Sequence, residues 1–207
     1  MLGKFITLEG GEGCGKTTNI KFIEQFLVAQ GISVVITREP GGTALAENIR
    51  QLLLDKQQEA IAEETELLMM FAARAQHIKH VIRPALAQGK WVLCDRFTDS
   101  SYAYQGGGRN MDNKAIAWLE DFSQQQIRPD LTLLLDVPVE IGMSRAKQRG
   151  ALDRFELEKM EFFNKVRDCF LEIAAQQGER VKLIDATQDL AQVQSNITDI
   201  LQIFINE

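Results

Sequence analysis

A glycine-rich segment near the start of the chain has residue types and spacing suited to binding phosphate. Residues 10–17 fit the pattern G-x-x-x-x-G-K-[ST] and lie between a strand-like apolar run and a helix-like run. Glycines let successive backbone N–H groups face phosphate oxygens, and the following helix adds the positive end of its dipole. Lys16 is expected to reach the β- and γ-phosphates, and the Thr17 hydroxyl to ligate Mg²⁺. The predicted phosphate-binding residues are Gly10, Gly11, Glu12, Gly13, Cys14, Gly15, Lys16, Thr17 and Thr18.

Two side chains inside this loop carry different expectations. Glu12 is acidic in a loop that holds anions, so it either points to solvent or faces the phosphate-transfer site and pairs with an arginine. The second interpretation makes Glu12 a candidate catalytic residue. Cys14 needs only to be small, because its position asks for a backbone N–H.

Arginines and aspartates are expected near the carboxyl edge of the predicted sheet. Arg38, Arg74 and Arg96 would each be a solvated surface residue if taken singly, but together beside a phosphate loop they suit a second anion. Asp95 ends an apolar strand, which makes it a candidate for an outer contact to Mg²⁺ or for orienting the acceptor. Asp136 ends a strand too, and sequence periodicity does not separate the two.

Two further segments have both a plain and a functional interpretation. Residues 102–109 combine two tyrosines, the amide of Gln105 and three glycines, and form either an ordinary loop or a surface that contacts a base. Residues 144–154 hold four cations in an acidic protein, and form either a solvated helix face or part of a lid at about 142–155. An arginine that a lid brings to the transferring phosphoryl group accelerates transfer by about 10³–10⁵.

Strand-like and helix-like patterns alternate along the chain. The predicted strands are Phe5–Glu9, Ile32–Thr37, Trp91–Asp95, Leu131–Asp136 and Val181–Ile184. The predicted helices are Lys16–Gln30, Leu45–Leu54, Thr65–Gln88, Asp112–Gln125, Pro138–Gln148, Glu156–Gln177 and Asp189–Ile205. Pro84 should end or kink the third helix, and Asp112 should cap the fourth. The alternation predicts one three-layer α/β domain over 1–207, with a parallel sheet and ligands at its carboxyl edge.

Composition narrows the class of protein. A net charge of −6 argues against a general nucleic-acid surface, while a small anionic substrate needs only a local arginine cluster. The three cysteines have no metal-type spacing, which favours a reducing, cytoplasmic compartment. No leader pattern and no apolar run of membrane-spanning length is present, so we expect a soluble protein. His77 and His80 lack a ligand constellation and are interpreted as structural or surface residues.

Five segments occur in the order and spacing of the thymidylate kinases, which the chain resembles over essentially its whole length. They are residues 8–18 (LEGGEGCGKTT), 37–43 (TREPGGT), 95–97 (DRF), 103–107 (AYQGG) and 149–154 (RGALDR). The second and fourth are far more specific to that family than the phosphate loop. The resemblance implies a P-loop NTPase fold with a five-stranded parallel sheet flanked by helices. It also implies a homodimer that uses ATP and Mg²⁺ to phosphorylate dTMP to dTDP.

The resemblance also implies roles for individual residues. Glu9 would lie near the deoxyribose 3′-hydroxyl, and Tyr104 would pack under the sugar. Arg38, Arg50 and Arg96 would hold the dTMP phosphate, beside Pro40. Arg74 would hydrogen-bond the thymine edge, which Ser101 and Gln105 would face. Arg149 and Arg154 would be lid arginines, and Glu12 with Arg149 resembles the bacterial, lid-arginine type.

One position departs from that family. A phenylalanine usually stacks on thymine four residues before the base-contacting arginine, whereas this chain has Met70 there and Phe71 one residue later. The two side chains differ by about 100° around a helix. Either Met70 covers the ring with its polarizable sulfur, or a helix distortion brings Phe71 to it.

Two alternatives to a dTMP kinase remain at the sequence level. The first keeps the kinase and changes the acceptor to another nucleoside monophosphate or a deoxynucleoside. The second is a GTP-dependent switch, which normally carries an N-K-x-D motif that the chain lacks.

Overall fold

A five-stranded parallel sheet forms the centre of the molecule. The computed structural model describes residues 3–56, 59–150 and 153–206. The strands are β1 (Phe5–Glu9), β2 (Val34–Arg38), β3 (Trp91–Asp95), β4 (Leu131–Asp136) and β5 (Val181–Asp185). Their order is β2-β3-β1-β4-β5, and all four neighbouring pairs are parallel. The predicted α/β class and five-stranded parallel sheet are confirmed.

Helices cover both faces of the sheet. They are α1 (Lys16–Ala29), α2 (Ala44–Leu54), α3 (Glu63–His77), α4 (Arg83–Ala87), α5 (Thr98–Ser101), α6 (Asn113–Gln124), α7 (Val139–Arg149), α8 (Met160–Gln176) and α9 (Leu190–Asn206). Asp112 caps α6 as predicted, because its carboxylate accepts from the Lys114 N–H. Among the described residues, no helix is both long and apolar enough to cross a membrane.

Two segments are wound as π-helix, and the sequence pattern did not predict either. Ile78–Ile82 joins α3 to α4, so the predicted helix 65–88 changes its winding immediately before Pro84. Proline lacks an N–H and crowds the preceding turn, and a wider turn there avoids that conflict. Tyr102–Gly108 continues α5 where the sequence indicated a glycine loop. The second segment contains Tyr104 and Gln105, which line the cleft described below.

The core is divided between the two faces of the sheet by strict alternation along the strands. In β4, Leu133 and Leu135 pack in the cluster that α1 and α9 complete, whereas Leu134 packs with α8. Strands buried on both faces are therefore mostly apolar, and the one polar pair inside β1 and β4 is Thr7 with Thr132, whose hydroxyls are hydrogen-bonded to each other. Burying one such leucine contributes about 1.5–3 kcal/mol.

The phosphate loop rests directly on the first turn of α7. A Cβ atom on Gly142 would overlap the carbonyl oxygen of Glu12, and one on Gly13 would overlap the carbonyl oxygen of Gly142. The two backbones thus meet without an intervening side chain. This contact joins the phosphate loop to the helix that leads into the predicted lid.

We expect Gly142→Ala to destabilise the protein, although alanine is the better helix former. Inside a helix, the exchange alone would stabilise by about 1 kcal/mol. The overlap with Glu12 should reverse the sign and cost about 1–3 kcal/mol. Urea unfolding measures the net change in the free energy of unfolding, in which both contributions are summed. Gly178→Ala is the control, because its Cβ would lie at an ordinary 3.7 Å from the Ala174 carbonyl oxygen. A gain of stability in Gly142→Ala would contradict the proposed contact.

Candidate active site

A cleft of about 440 Å³ lies at the carboxyl edge of the sheet, between the phosphate loop and the segments that follow β2 and β3. Of the predicted site residues, the cleft is lined by Glu12, Gly13, Cys14, Gly15, Lys16, Thr17, Thr18, Arg38, Pro40, Arg50, Met70, Arg74, Asp95, Arg96, Ser101, Tyr104 and Gln105. Its lining does not include Glu9, Gly10, Gly11, Phe71 or Arg154. The side chain of Arg149 lies outside the described residues.

The phosphate loop has the backbone that its glycines predict. Gly10, Gly13 and Gly15 have φ values of 137°, 65° and 95°, in the left-handed region that favours glycine. The Lys16 ammonium donates to the carbonyl oxygens of Gly10 and Gly11, each at 3.0 Å. The lysine is therefore held over the loop, at the position where a phosphate would be bound.

Arg96 connects the end of β3 to the phosphate loop. Its Nη2 lies 3.0 Å from Glu12 Oε1, and its Nη1 donates to the Gly10 carbonyl oxygen at 2.9 Å. The Tyr104 hydroxyl donates to the same Glu12 oxygen at 2.7 Å, and its ring lies 4.9 Å from the guanidinium carbon. Burial raises the pKa of Tyr104, which keeps the phenol protonated as a donor. Glu12 therefore pairs with Arg96 at the end of β3, and its proposed pairing with an arginine of the lid stays a prediction.

Arg38 and Arg50 add two cations to the same region. Arg50 Nη1 donates to the Pro40 carbonyl oxygen at 3.0 Å, and Arg38 Nη2 pairs with Glu47 at 2.8 Å. Burial, and then the charge of Arg38, lower the pKa of Arg50, and Arg96 acts in the same direction. Like charges held this close favour an anion between them.

Arg74 is a buried cation with one free donor. Its Nε donates to Glu39 Oε2 at 2.7 Å and its Nη2 to the Phe97 carbonyl oxygen at 3.2 Å. Its Nη1 is buried and has no hydrogen-bond partner among the described residues. A buried unpaired donor is costly unless a ligand satisfies it. Because Arg74 also lines the cleft, a ligand bound there is the partner that Nη1 lacks among the described residues.

The choice between Met70 and Phe71 is decided by the orientation of α3. Met70 lines the cleft, whereas Phe71 is buried with its ring 4.6 Å from the Arg74 guanidinium carbon. Because α3 is a regular helix over Glu63–His77 and Phe71 does not line the cleft, the structure favours the Met70 alternative over the helix distortion. Phe71 packs against the Arg74 guanidinium.

Hydrogen bonding also distinguishes Asp95 from Asp136. Both oxygens of Asp136 pair with Arg167, at 2.7 and 2.8 Å. Asp95 Oδ1 is buried and has no partner among the described residues, and Asp95 lines the cleft beside the phosphate loop. Asp95 is the aspartate that can bind a cation or a cation-bound water.

Arg154 does not reach the phosphate loop. Its Nε donates to the Leu53 carbonyl oxygen at 2.7 Å, and its Nη2 pairs with the buried carboxylate of Glu66 at 2.6 Å. Arg154 thus ties its segment to Leu53 and Glu66, and its role as a lid arginine stays a prediction. Gln105 also donates to Glu66, at 2.9 Å. Arg145, which the sequence analysis did not single out, lines the cleft instead.

Glu9 is buried next to the cleft and does not line it. Its carboxylate is fully buried and accepts hydrogen bonds from the Phe97 N–H at 2.7 Å and the Ser100 hydroxyl at 2.6 Å. Burial, and then the charge of Asp99, raise its pKa to about 7. It fixes the segment that presents Ser101 to the cleft and is not itself exposed to a ligand.

Comparison with known proteins gives one consistent family. The family model described as thymidylate kinase matches residues 8–197. The chain is 58% identical over 201 residues to the thymidylate kinase of Ectopseudomonas mendocina (strain ymp), covering 97% of this chain and 96% of that protein. It is 54% identical to the Alcanivorax borkumensis thymidylate kinase over 202 residues, 98% and 97% of the two chains. The crystal structure of thymidylate kinase from Ehrlichia chaffeensis is similar, with a TM-score of 0.80 and 36% identity over 98% and 99% of the chains.

We expect Glu9 to make stability depend on pH. Because its pKa rises from 4.5 to about 7 on folding, this group's contribution is fully present below pH 4.5 and is lost as the pH rises to about 7. The loss amounts to roughly 3 kcal/mol at most. Glu9→Gln can keep both hydrogen bonds without the charge. Between pH 5 and pH 8, the free energy of unfolding measured in urea should fall less for the variant than for wild type. An equal fall in both proteins would exclude this role of Glu9.

Proposed function

Because the chain belongs to the thymidylate kinase family, we propose that it transfers the γ-phosphate of ATP to dTMP, giving dTDP and ADP for dTTP synthesis. The observation that carries this proposal is the unpaired Arg74 Nη1 in the same cleft as the phosphate loop. The loop suits a triphosphate, and the free donor suits the carbonyl edge of a base.

The acceptor is bound by three kinds of contact. Arg38, Arg50 and Arg96 surround the dTMP phosphate, which relieves the repulsion between their charges. Arg74 Nη1 donates to the thymine O4, and the Met70 thioether covers the ring. The base and sugar are also contacted by three residues that line the cleft, Ser101, Tyr104 and Gln105.

Phosphoryl transfer proceeds by positioning and charge stabilisation. The loop N–H groups and Lys16 hold the β- and γ-phosphates, while Arg96 keeps the acceptor phosphate beside the loop. An acceptor oxygen then attacks the γ-phosphorus in line and ADP leaves, so no covalent enzyme intermediate is needed. Arg149 and Arg145, on the helix that leads into the lid, are the arginines proposed to neutralise the developing charge.

Residues that fit Mg²⁺ are present at the phosphate loop. Asp95 and Thr17 both line the cleft, and Asp95 Oδ1 has no partner among the described residues. Sites for Mg²⁺ commonly offer only one or two protein oxygens and leave the rest to phosphates and water. When bound, Mg²⁺ neutralises charge on the β- and γ-phosphates.

We further propose a homodimer formed through α6 and α3. The rings of Trp118 and Phe122 are stacked at 5.4 Å and are 64% and 70% exposed. Leu68 on the adjoining α3 is 56% exposed. Large exposed apolar side chains on two packed helices suit an isologous contact with a second copy. A cytoplasmic location is proposed as well, since the three cysteines are free thiols.

ATP-dependent ADP release with Mg²⁺ tests the function across dTMP, dUMP, UMP, CMP, AMP, GMP and thymidine. We expect a strong preference for dTMP. Arg74→Lys keeps a positive charge that can pair with Glu39, but it removes the guanidinium N–H group that is proposed to contact the base. It should raise the KM for dTMP about 10–100-fold with a smaller change in kcat.

Lys16→Ala is the control, with transfer abolished and the circular dichroism spectrum unchanged. If the enzyme prefers an acceptor other than dTMP, the assignment of the acceptor is wrong, whereas the assignment as a kinase stands. No ADP release with any acceptor would overturn the proposed reaction.

We expect Trp118→Asp to convert the dimer to a monomer, because the carboxylate would be desolvated in an apolar contact. Sedimentation velocity measures the mass directly. Ile203→Asp is the matched control, since Ile203 is also 64% exposed but lies on α9. If wild type sediments as a monomer, or if both variants dissociate alike, the α6 surface is not the interface.

A further inference from the structure

Four buried or half-buried polar side chains form a chain of hydrogen bonds that ends at the cleft. Thr37 Oγ1 lies 2.6 Å from His77 Nε2, and His77 Nδ1 lies 2.9 Å from Glu39 Oε1. Glu39 Oε2 accepts from Arg74 Nε at 2.7 Å. His77 is fully buried, and Glu39 and Arg74 are each 3% exposed on their side chains. Phosphate binding and transfer, as derived above, use neither Thr37 nor His77.

The ion pair between Arg74 and Glu39 decides which atoms carry hydrogens along this row of hydrogen bonds. With Glu39 as a carboxylate, both of its oxygens accept: Oε2 accepts from Arg74 Nε, and Oε1 accepts from His77 Nδ1, which therefore carries a hydrogen. The Nε2 of a neutral ring then accepts from the Thr37 hydroxyl, and that of a protonated ring donates to it. In either state His77 donates to Glu39, and one Glu39 oxygen remains for Arg74.

This division of the Glu39 oxygens controls the direction of the Arg74 guanidinium. An arginine and a carboxylate prefer two parallel hydrogen bonds, which would engage a second nitrogen of Arg74. His77 occupies Oε1, so Arg74 pairs through Nε alone, and its Nη2 is left for the Phe97 carbonyl oxygen. That arrangement leaves Nη1 as the free donor.

The turn after β2 closes over the imidazole ring. Gly42 has a φ of 85°, and a Cβ there would overlap His77 Cδ2 and lie 2.6 Å from Nε2 and 2.8 Å from Thr37 Oγ1. The ring is therefore held by hydrogen bonds at both nitrogens and by backbone above it. The turn that packs against the ring through Gly42 also carries Glu39, so the ring and this carboxylate are held by the same segment.

We propose that His77 is a positioning residue for base selection: through Glu39 it aims Arg74 Nη1 at a carbonyl oxygen at position 4 of a pyrimidine. The inference rests on the proposed function. Thymine and uracil present an O4 acceptor, whereas cytosine presents an N4 amino donor that opposes an arginine N–H. Thymine differs from uracil only by its methyl group, which this chain of hydrogen bonds does not contact. His77 therefore governs the choice of carbonyl over amino group and not the choice of methyl over hydrogen.

The test compares dissociation constants of dTMP, dUMP and dCMP by calorimetry, with kcat and KM for dTMP. His77→Leu removes the donor to Glu39, and the dCMP-to-dTMP ratio of dissociation constants should fall at least about tenfold, which is 1.4 kcal/mol of discrimination. The dUMP-to-dTMP ratio should stay within about twofold, because methyl recognition is unaffected. KM for dTMP should rise more than kcat falls.

His77→Asn is the rescue variant, because its amide nitrogen falls near the Nδ1 position and can still donate to Glu39. It should restore the dCMP-to-dTMP ratio. His77→Gln places its amide near Nε2 and should behave as the leucine variant does, so it replaces that variant if the latter does not fold.

An unchanged dCMP-to-dTMP ratio in the leucine and glutamine variants would overturn the proposal. An equal fall of both ratios would also overturn it, since that is the mark of a generally disturbed site. Failure of wild type to phosphorylate dTMP would instead reject the proposed function, and the two failures are distinguishable.

Discussion

The register of β2 and β3 against β1 decides where every charged group of the cleft lies. Asp95 is aligned with Leu8 on one side and with Arg38 on the other. The ladder continues one step beyond the strands, where Glu39 N donates to the Asp95 carbonyl oxygen and Arg96 N to that of Leu8. A slip of one residue in either pair would turn each side chain to the opposite face. Parallel pairing therefore brings the cations after β2 and β3 beside the phosphate loop after β1.

Three buried carboxylates then fix the chain segments around the cleft. Glu9 holds the segment after β3, Glu39 holds α3 through Arg74, and Glu66 holds both Gln105 and Arg154. Removing a carboxylate from water is expensive, and the pairing returns that free energy only when the geometry is good. Such groups contribute little net stability, yet they leave few alternative arrangements for the side chains they hold. The acceptor half of the cleft is thus organised before any ligand enters.

The sequence predicted the elements and the chemical groups better than it predicted side-chain directions. Strand ends and the phosphate loop follow from apolar runs and glycines, which are local patterns. Whether Asp95 or Asp136 is free depends on Arg167, which lies on α8 and is far away along the chain. The same holds for Arg154, whose partner Glu66 is 88 positions away. Neither pairing leaves a local signal.

One signal for the acceptor side was present in the sequence, however. Glu66, Arg74 and His77 share the buried face of α3 with Leu67 and Phe71, at helical spacing. Charged groups on an apolar face must be paired, so their presence there predicts partners from another segment.

Arg96 explains how the two halves of the cleft are held at a fixed separation. Its Nη1 is bound to the Gly10 carbonyl oxygen of the phosphate loop, while its Nη2 pairs with Glu12, a residue of the same loop. In the proposed reaction, an acceptor phosphate would compete with Glu12 for Nη2 and would leave the Nη1 contact intact. The guanidinium then bridges the acceptor phosphate and the loop that holds the donor phosphates. Because Arg96 has a φ of 66°, its backbone turns sharply at the end of β3 and directs the side chain back over β1. In-line transfer needs a short, fixed distance between donor and acceptor, and the contacts of Arg96 with Gly10 and Glu12 hold its guanidinium beside the phosphate loop.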